Sequence, residues 1–317
     1  MSLKKIELGT TTNITTSYAG EFAGEYIAAA LLSASTINDG GVTVKPNIAF
    51  KEVIKKLDTG ALVSDASCDF NPNSSVTLTE TILQPEEFQV NLQLCKKDFI
   101  SDWEAQSMGY GMSQTLPPKF SDFMIAHVAA EVAQKTEQTM FQGATANVGE
   151  FDGYEALLAA DNTVVDVAAV GGGVDAANVI AELGKVVDAI PAALYGKEDL
   201  FIYVPSSAAK FYVQALGGFA AAGLGANGVN NMGTQWWNNG SLTVNGVKIF
   251  VCPGLANDKM IAAQRSNLFF GTGLLNNMNE VKIIDMQDID GSQNVRFVMR
   301  YTAGVQIGIG SDIVFYA

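Results

Sequence analysis

The sequence predicts an α+β fold in which strands, one long helix and an α/β segment follow each other along the chain. Two runs of alternating apolar and polar residues lie between residues 76 and 94, which is the pattern of extended strands. Residues 119–142 carry the longest helical pattern. From residue 175, helical patterns alternate with apolar strand patterns, and the chain ends in several strand patterns.

Composition excludes several classes of function. The formal net charge is −14 over 317 residues, which disfavours tight binding to nucleic acid or to an anionic membrane. Three cysteines without a CxxC pair, Cys68, Cys95 and Cys252, predict neither a disulfide framework nor a zinc site. No apolar run is long enough to span a bilayer, and no apolar segment of a signal peptide follows Lys4 and Lys5. We therefore expect a protein made and used in a cytoplasm, or in something assembled there.

Residues 1–47 begin with a threonine-rich stretch and continue with a Gly/Ala-rich segment, Tyr18–Ser35. This segment has a helical pattern with few charges, weakened by Gly20 and Gly24. It fits an arm that becomes ordered against a neighbour, and it equally fits a modest surface helix.

Residues 48–98 are dominated by strand patterns. Residues 47–58 predict either a short strand and turn or a short helix. The two alternating runs that follow carry these apolar residues: Val76, Leu78, Ile82, Phe88, Val90, Leu92 and Leu94. Together the runs predict a long two-stranded antiparallel ribbon, or two adjacent strands of an ordinary sheet. Because an isolated two-stranded ribbon is marginal in water, a projecting one needs another surface to lie on.

The long helix is bounded by Pro117-Pro118 and by Gly143, residues that suit a helix start and a helix end. Its apolar residues fall mainly on one side: Phe120, Met124, Val128, Val132 and Met140. About 24 residues at about 1.5 Å each make a rod of roughly 36 Å. An ordinary core helix is the alternative interpretation.

Residues 144–173 are predicted to be a connection of small residues. Its end, Gly171-Gly172-Gly173, lacks the pattern of a dinucleotide-binding loop. The α/β segment then predicts a helix over 175–191, a buried strand over 200–204 and a helix over 205–216. The inward residues of the first helix are Val179, Leu183, Val186 and Val187.

A long loop, residues 217–240, contains Trp236 and Trp237, and loops of this length usually make contacts. Asn245-Gly246 between two alternating runs predicts a hairpin. Further strands are expected within 259–272, 280–286, 294–308 and 312–317.

Candidate catalytic chemistry is sparse. His127 is the single histidine and lies inside the long helix, where we interpret it as structural. Asp285, Asp288 and Asp290 are close in sequence, but they lack the glycine and glutamate of a calcium-binding loop and predict a solvated turn. No catalytic residue, metal site or cofactor is predicted.

The order of these parts resembles the major capsid protein of tailed bacteriophages, which has the HK97-type shell fold. The resemblance covers most of the chain from about residue 48 and is carried by three segments: IPAALYGKEDLFIYVPSSAAKFYVQAL (190–216), VNGVKIFVCPGLANDKMIAAQRSNLFFGTGL (244–274) and VRFVMRYTAGVQIGIGSDIVFY (295–316). It implies an N-terminal arm (1–47), an extended ribbon or E-loop (48–98) and a peripheral domain (99–174) with a spine helix (119–142). An axial domain (175–277) and returning C-terminal strands (278–317) complete the implied fold.

The same resemblance implies a structural, non-enzymatic subunit that forms pentamers and hexamers of an icosahedral shell around double-stranded DNA. Implied partners are neighbouring capsomers, a portal and, where these are separate proteins, scaffold and decoration proteins. No covalent crosslink is predicted, and the implied location is the virion capsid, assembled in the host cytoplasm. The predicted intersubunit contacts are Val76, Leu78, Ile82, Phe88, Val90, Leu92, Trp236 and Trp237.

Two other functions are compatible with the sequence. One is the shell protein of an encapsulin-like nanocompartment with the same fold and an enzyme cargo. The other is an α+β enzyme that would use His127 or the acids of 285–290.

Overall fold

The computed structural model describes residues 35–59, 76–95, 118–216, 242–273 and 281–317. The helices in these ranges are α1 Ser35–Asn38, α2 Pro118–Gln142, α3 Tyr154–Ala160, α4 Val179–Asp188, α5 Ser206–Ala215 and α6 Gln287–Asp290. The first strands are β1 Thr43–Lys45, β2 Glu52–Thr59, β3 Val76–Leu83, β4 Glu86–Cys95, β5 Val165–Val167, β6 Leu200–Val204, β7 Thr243–Val244 and β8 Val247–Val251. The remaining strands are β9 Met260–Gln264, β10 Leu268–Gly271, β11 Val281–Asp285, β12 Asn294–Ile307 and β13 Val314–Tyr316.

The long helix α2 confirms the predicted helix to within one residue at its start. Pro118 is its first residue, a position where no intrahelical N–H bond is lost. Three of its predicted inward residues, Val128, Val132 and Met140, are buried. The side chains of residues 118–124, which include Phe120 and Met124, lie outside the described part of the structure.

A five-stranded sheet has β12 as its longest strand and packs against α2 in one hydrophobic core. Residues 294–303 of β12 pair antiparallel with β4, and residues 295–299 also pair with β11. The final part of β12 pairs with β10, which in turn pairs parallel with β1. Alternate residues of β12 are buried from Val295 to Tyr301, so one face of this sheet covers the core.

A six-stranded sheet has the order β5-β13-β9-β6-β8-β7. One face is covered by α4 and α5, and Ile202 of β6 is buried in that core. The next residue, Tyr203, points to the opposite face and is buried in the core that contains α2. A single sheet therefore separates and contacts both hydrophobic cores. The six-stranded sheet includes β5 and β13, which lie outside the predicted segment 175–277. Within that segment, β10 belongs to the five-stranded sheet instead.

Several local predictions for the α/β segment are confirmed. The four predicted inward residues of α4 are buried, and β6 spans the predicted strand. Asn245 and Gly246, with φ of 46° and 82°, form the predicted turn between β7 and β8. Two positive φ values match the turn type that Asn-Gly favours.

Two predictions about connections are wrong. The region predicted as a connection of small residues, 144–173, contains α3 and β5. The two alternating runs do not pair with each other, because β3 pairs with β2 and β4 pairs with β12. Residues Gln84 and Pro85 connect β3 to β4, and the two strands enter different sheets there. Alternation identifies a strand but carries no information about its partner.

Candidate intersubunit surface

The pair β2–β3 forms a two-stranded ribbon with an unbroken antiparallel register of eight residues, from Glu52↔Leu83 to Thr59↔Val76. Thr77, Leu78, Thr79 and Glu80 are all exposed in succession. Because successive side chains point to opposite faces of a strand, both faces of the ribbon are in solvent there. The ribbon therefore projects from the rest of the subunit.

One face of the ribbon carries most of its apolar side chains, with one charged pair among them. The register pairs Val53 with Ile82 and Leu57 with Leu78, and a cross-strand Lys55–Glu80 pair lies between them. The exposed fractions of the side chains are 53% for Leu78, 50% for Ile82 and 44% for Val53. Val76 lies opposite Thr59 on the same face, and its side chain is outside the described part. We call this surface the ribbon face.

The root of the ribbon is fixed in the subunit. Leu83 is fully buried, and it lies so close to Gly271 that a Cβ at that glycine would come within 3.0 Å of it. The Nε2 atom of Gln306 donates a hydrogen bond of 2.9 Å to the carbonyl oxygen of Ile82. The ribbon is therefore anchored at residues 82–83 and is exposed beyond them.

Phe88, Val90 and Leu92 are on β4 and not on the ribbon. They are half-buried and pack against the core of their own subunit. The ring of Phe88 lies 5.5 Å from that of Tyr301 and 5.9 Å from that of Phe151. The structure gives these three predicted contact residues an intramolecular role. The other two predicted contact residues, Trp236 and Trp237, lie outside the described residues, as does Cys68.

The end of the predicted N-terminal arm, from Ser35 onward, belongs to the core of the subunit, and residues 1–34 lie outside the described part. Ile37 and Val42 are buried beside α2 and the five-stranded sheet. The hydroxyl of Tyr203 donates a hydrogen bond of 2.5 Å to the carbonyl of Gly41. These contacts hold the base of the arm.

A buried carboxylate connects this region to α2. Glu137 of α2 accepts hydrogen bonds from the backbone N–H and the side-chain hydroxyl of Thr36. It forms no ion pair within the described ranges, and burial raises its pKa above the ordinary value. Sequence reasoning missed this residue, since a glutamate inside an amphipathic helix is usually solvated.

The candidate catalytic residues are not brought together. His127 is exposed on α2. Asp285 is buried at the end of β11, so it is not part of a solvated turn, and its Oδ1 accepts a hydrogen bond of 3.1 Å from the N–H of Gln287. Asp290 is exposed. In the part of the chain that is described, no three His, Cys, Asp or Glu side chains form a group that could hold a metal ion.

No helix among the described residues is long and apolar enough to cross a membrane. No known family model and no curated protein matches the sequence. Solved structures do match. The capsid of a native GTA particle superposes with a TM-score of 0.61 at 11% identity, over 91% of this chain and 89% of that chain. The capsid of Myoviridae phage XM1 superposes with a TM-score of 0.54 at 13% identity, over 99% and 96% of the two chains.

This chain has the HK97-type capsid fold. A virus-like particle from Pyrococcus furiosus also superposes, with a TM-score of 0.51 at 9% identity, over 94% of this chain and 98% of that one. The predicted α+β class and the predicted HK97-type capsid fold are confirmed.

Proposed function

We propose that the chain is the major capsid subunit of a tailed bacteriophage, which assembles into the pentamers and hexamers of an icosahedral shell. In this proposal the E-loop is the β2–β3 ribbon, the spine helix is α2, and the axial domain is built on the six-stranded sheet. The subunit has a structural role and no catalytic one.

The observation that carries the proposal is the ribbon face. Leu78, Ile82 and Val53 are each about half exposed on a projecting ribbon that has two strands within the described residues. Exposed apolar surface of this kind marks interaction sites, and two-stranded ribbons gain stability when another surface covers them. A sister subunit in a shell supplies such a surface.

The proposed contact set follows from where the residues lie. We retain Val76, Leu78 and Ile82 from the sequence prediction, and we add Val53 and Leu57 from the facing strand. Phe88, Val90 and Leu92 are removed, because they pack in the subunit's own core. Trp236 and Trp237 are proposed as contacts of the axial loop near the capsomer centre.

The remaining parts of the assembly are proposed with the shell. The N-terminal arm, held at Thr36 and Val42, would extend to a neighbouring subunit through residues 1–34. The packaged double-stranded DNA would be enclosed without sequence-specific binding, because a chain of net charge −14 repels phosphate. A portal, and scaffold or decoration proteins where these exist, would complete a capsid assembled in the host cytoplasm.

A nanocompartment shell is the second candidate. The similarity to the virus-like particle from Pyrococcus furiosus favours it, as does an open groove of ≈ 630 Å³ beside α2. The groove is lined mainly by small and amide side chains, including Ala133, Gln134 and Gln138. A peptide of a cargo enzyme would be its ligand.

Electron microscopy of the purified protein tests the proposal. We expect pentamers, hexamers or closed shells. A solution that contains monomers alone across protein concentration and salt contradicts it. Shells that co-purify with an enzyme cargo in place of DNA would favour the nanocompartment.

A further inference from the structure

The chain uses arginine sparingly and places most of it on one strand. Three of its 19 basic residues are arginines, at positions 265, 296 and 300. Arg265 lies close to the base of the arm, with its Nη1 atom 3.4 Å from the carbonyl oxygen of Gly40. Arg296 and Arg300 are both exposed on β12. Arginine is enriched in protein interfaces and lysine is depleted, so this placement calls for an explanation.

Both arginines lie on the face of the five-stranded sheet that points away from the core. Alternation along β12 places Arg296, Val298 and Arg300 on that face. The register sets Gln93, Asn91 and Gln89 of β4 beside them, one opposite each. Ile284 of β11 lies opposite Arg296 on the other side. We call this surface, centred on Arg296, Val298 and Arg300, the arginine face.

The two guanidinium groups are available to a partner. Arg296 donates from Nε to Oε1 of Gln93 at 3.1 Å, which leaves its two terminal NH2 groups for other acceptors. Arg300 forms no hydrogen bond or ion pair with any residue in the described ranges. The two arginines are four positions apart on the strand, a distance of about 13 Å.

Carboxylates near the arginine face do not form ion pairs with these arginines. Glu87 lies on the same face, opposite Thr302 and diagonal to Arg300. Asp290 lies near Arg296, and its carboxylate accepts a hydrogen bond of 2.9 Å from the N–H of Ser292. Lys282 of β11 adds a further positive charge to the same face. Arg296, Arg300 and Lys282 are therefore set against Glu87 and Asp290, which leaves an excess of one positive charge on a strongly acidic chain.

We propose that the arginine face binds carboxylates on a second copy of this chain. This inference rests on the proposed shell function and adds a surface to it. A net charge of −14 makes each copy complementary to a basic patch. The guanidinium fork fits a carboxylate in two-point contact. An apolar centre of Val298 and Ile284 inside a rim of amides and arginines has the anatomy of a protein interface.

Nucleic acid fits the arginine face less well. Affinity for DNA grows with the number of phosphates that are neutralised, and two or three cations release few counterions. The acidic remainder of the chain repels the phosphate backbone. A flat apolar centre offers nothing to a duplex backbone. Binding of the arginine face to packaged DNA is therefore an alternative that the experiment must exclude.

The test compares three full-length variants with the wild type. R296Q/R300Q removes two charges, and R296K/R300K keeps the charges but loses the fork. The control K197Q/K210Q removes two charges from exposed lysines elsewhere. Thermal melts check that all four proteins fold. Light scattering and electron microscopy then measure the protein concentration at half assembly between low and high salt.

We expect R296Q/R300Q to raise the concentration at half assembly about tenfold at low salt and to reduce its salt dependence. R296K/R300K should fall between this variant and the wild type, and the control should stay within about twofold of the wild type. If the wild type assembles and R296Q/R300Q assembles equally well, the inference fails and the shell proposal stands. If R296Q/R300Q assembles normally but retains less DNA, the arginine face binds nucleic acid and not a second copy of the chain. A wild type that never assembles overturns both proposals.

Discussion

Glu137 and Thr36 are 101 residues apart in the chain, yet the backbone N–H of Thr36 donates a hydrogen bond of 3.2 Å to Oε2 of Glu137. The hydroxyl of Thr36 donates to the other carboxylate oxygen and lies 3.6 Å from the sulfur of Cys252. The contact joins the base of the arm, the spine helix and the turn after β8. It does so with a carboxylate that no cation in the described ranges neutralises.

This carboxylate makes stability depend on pH. Burial raises the pKa of Glu137 above 4.5, and the hydrogen bonds from Thr36 offset part of that rise. The folded protein binds the proton more tightly than the unfolded chain does. The contribution of Glu137 to the free energy of unfolding is therefore present below pH 4.5 and is lost as the pH rises through the raised pKa. We expect the melting temperature of E137Q, relative to wild type, to increase as the pH rises above 4.5 and to level off above the raised pKa of Glu137.

Glu150 provides a control of opposite sign. Hydrogen bonds from Lys135 and Asn147 lower its pKa from 4.5 to about 2. Its contribution is present above pH 4.5 and is lost as the pH falls towards 2. E150Q should therefore melt below wild type at pH 7 and approach it in acid. Parallel melting curves for E137Q and wild type across pH would contradict the account of Glu137.

Charge placed on the ribbon face should block assembly without unfolding the subunit. In L78D/I82D, two half-exposed side chains become carboxylates, so we expect the melting temperature to change by no more than a few degrees. The concentration at half assembly should rise at least tenfold, because each side chain loses apolar burial worth about 1 kcal/mol or more.

Thr77 and Thr79 are exposed on the opposite face of the same strand and provide the matched control. T77D/T79D adds the same charge to the ribbon and should assemble more readily than L78D/I82D. Equal defects in both variants would show that charge on the ribbon, and not its apolar face, decides assembly. Light scattering measures the concentration at half assembly of both variants.

Shortening the ribbon separates its role in assembly from its role in folding. Residues 56–79 can be replaced by Asn-Gly, which joins the cross-strand pair Lys55 and Glu80 through a two-residue turn. Leu83 stays buried at the root, so the subunit should fold and melt near the wild-type temperature. Shells should be absent by electron microscopy. A shortened protein that unfolds at room temperature would show that the ribbon is needed for the fold itself.

Gly254 should be intolerant of a side chain. A Cβ there would collide with the backbone carbonyl of Glu137, which cannot move without distorting α2. We expect G254A to lose about 1–3 kcal/mol in the free energy of unfolding. Gly184 of α4 is the control, because a Cβ there meets no atom within 4 Å and alanine favours a helix by about 1 kcal/mol. Denaturant titration should show opposite signs for the two variants.

Local patterns in the sequence predicted the elements that depend on local physics. The spacing of Val128 and Val132 located the spine helix, and Asn245-Gly246 located the hairpin of β7 and β8. The residues that form the candidate site were harder to find. Val53 and Leu57 lie opposite Ile82 and Leu78 through pairing across a gap of more than 20 residues.

Pairing between strands that are distant in the chain produces no local pattern in the sequence. The second run, with Phe88 at its start, has the same alternation as a ribbon strand, but its partner β12 is about 200 residues away in the chain. The buried environment of Glu137 could not be predicted from the sequence for the same reason, because its partner Thr36 is 101 residues away in the chain. Burial of a polar group is decided by contacts that residue spacing does not encode.

The six-stranded sheet that contacts both cores has a mechanical consequence. Ile202 and Tyr203 are consecutive residues buried on opposite faces, so the two hydrophobic cores share one stiff wall. A hinge between them would have to open both cores at once. If copies of this chain meet at different angles in a closed shell, each copy therefore tilts as one rigid body relative to its neighbours. Differences in curvature would then be absorbed by the bending of the ribbon beyond its root at Leu83.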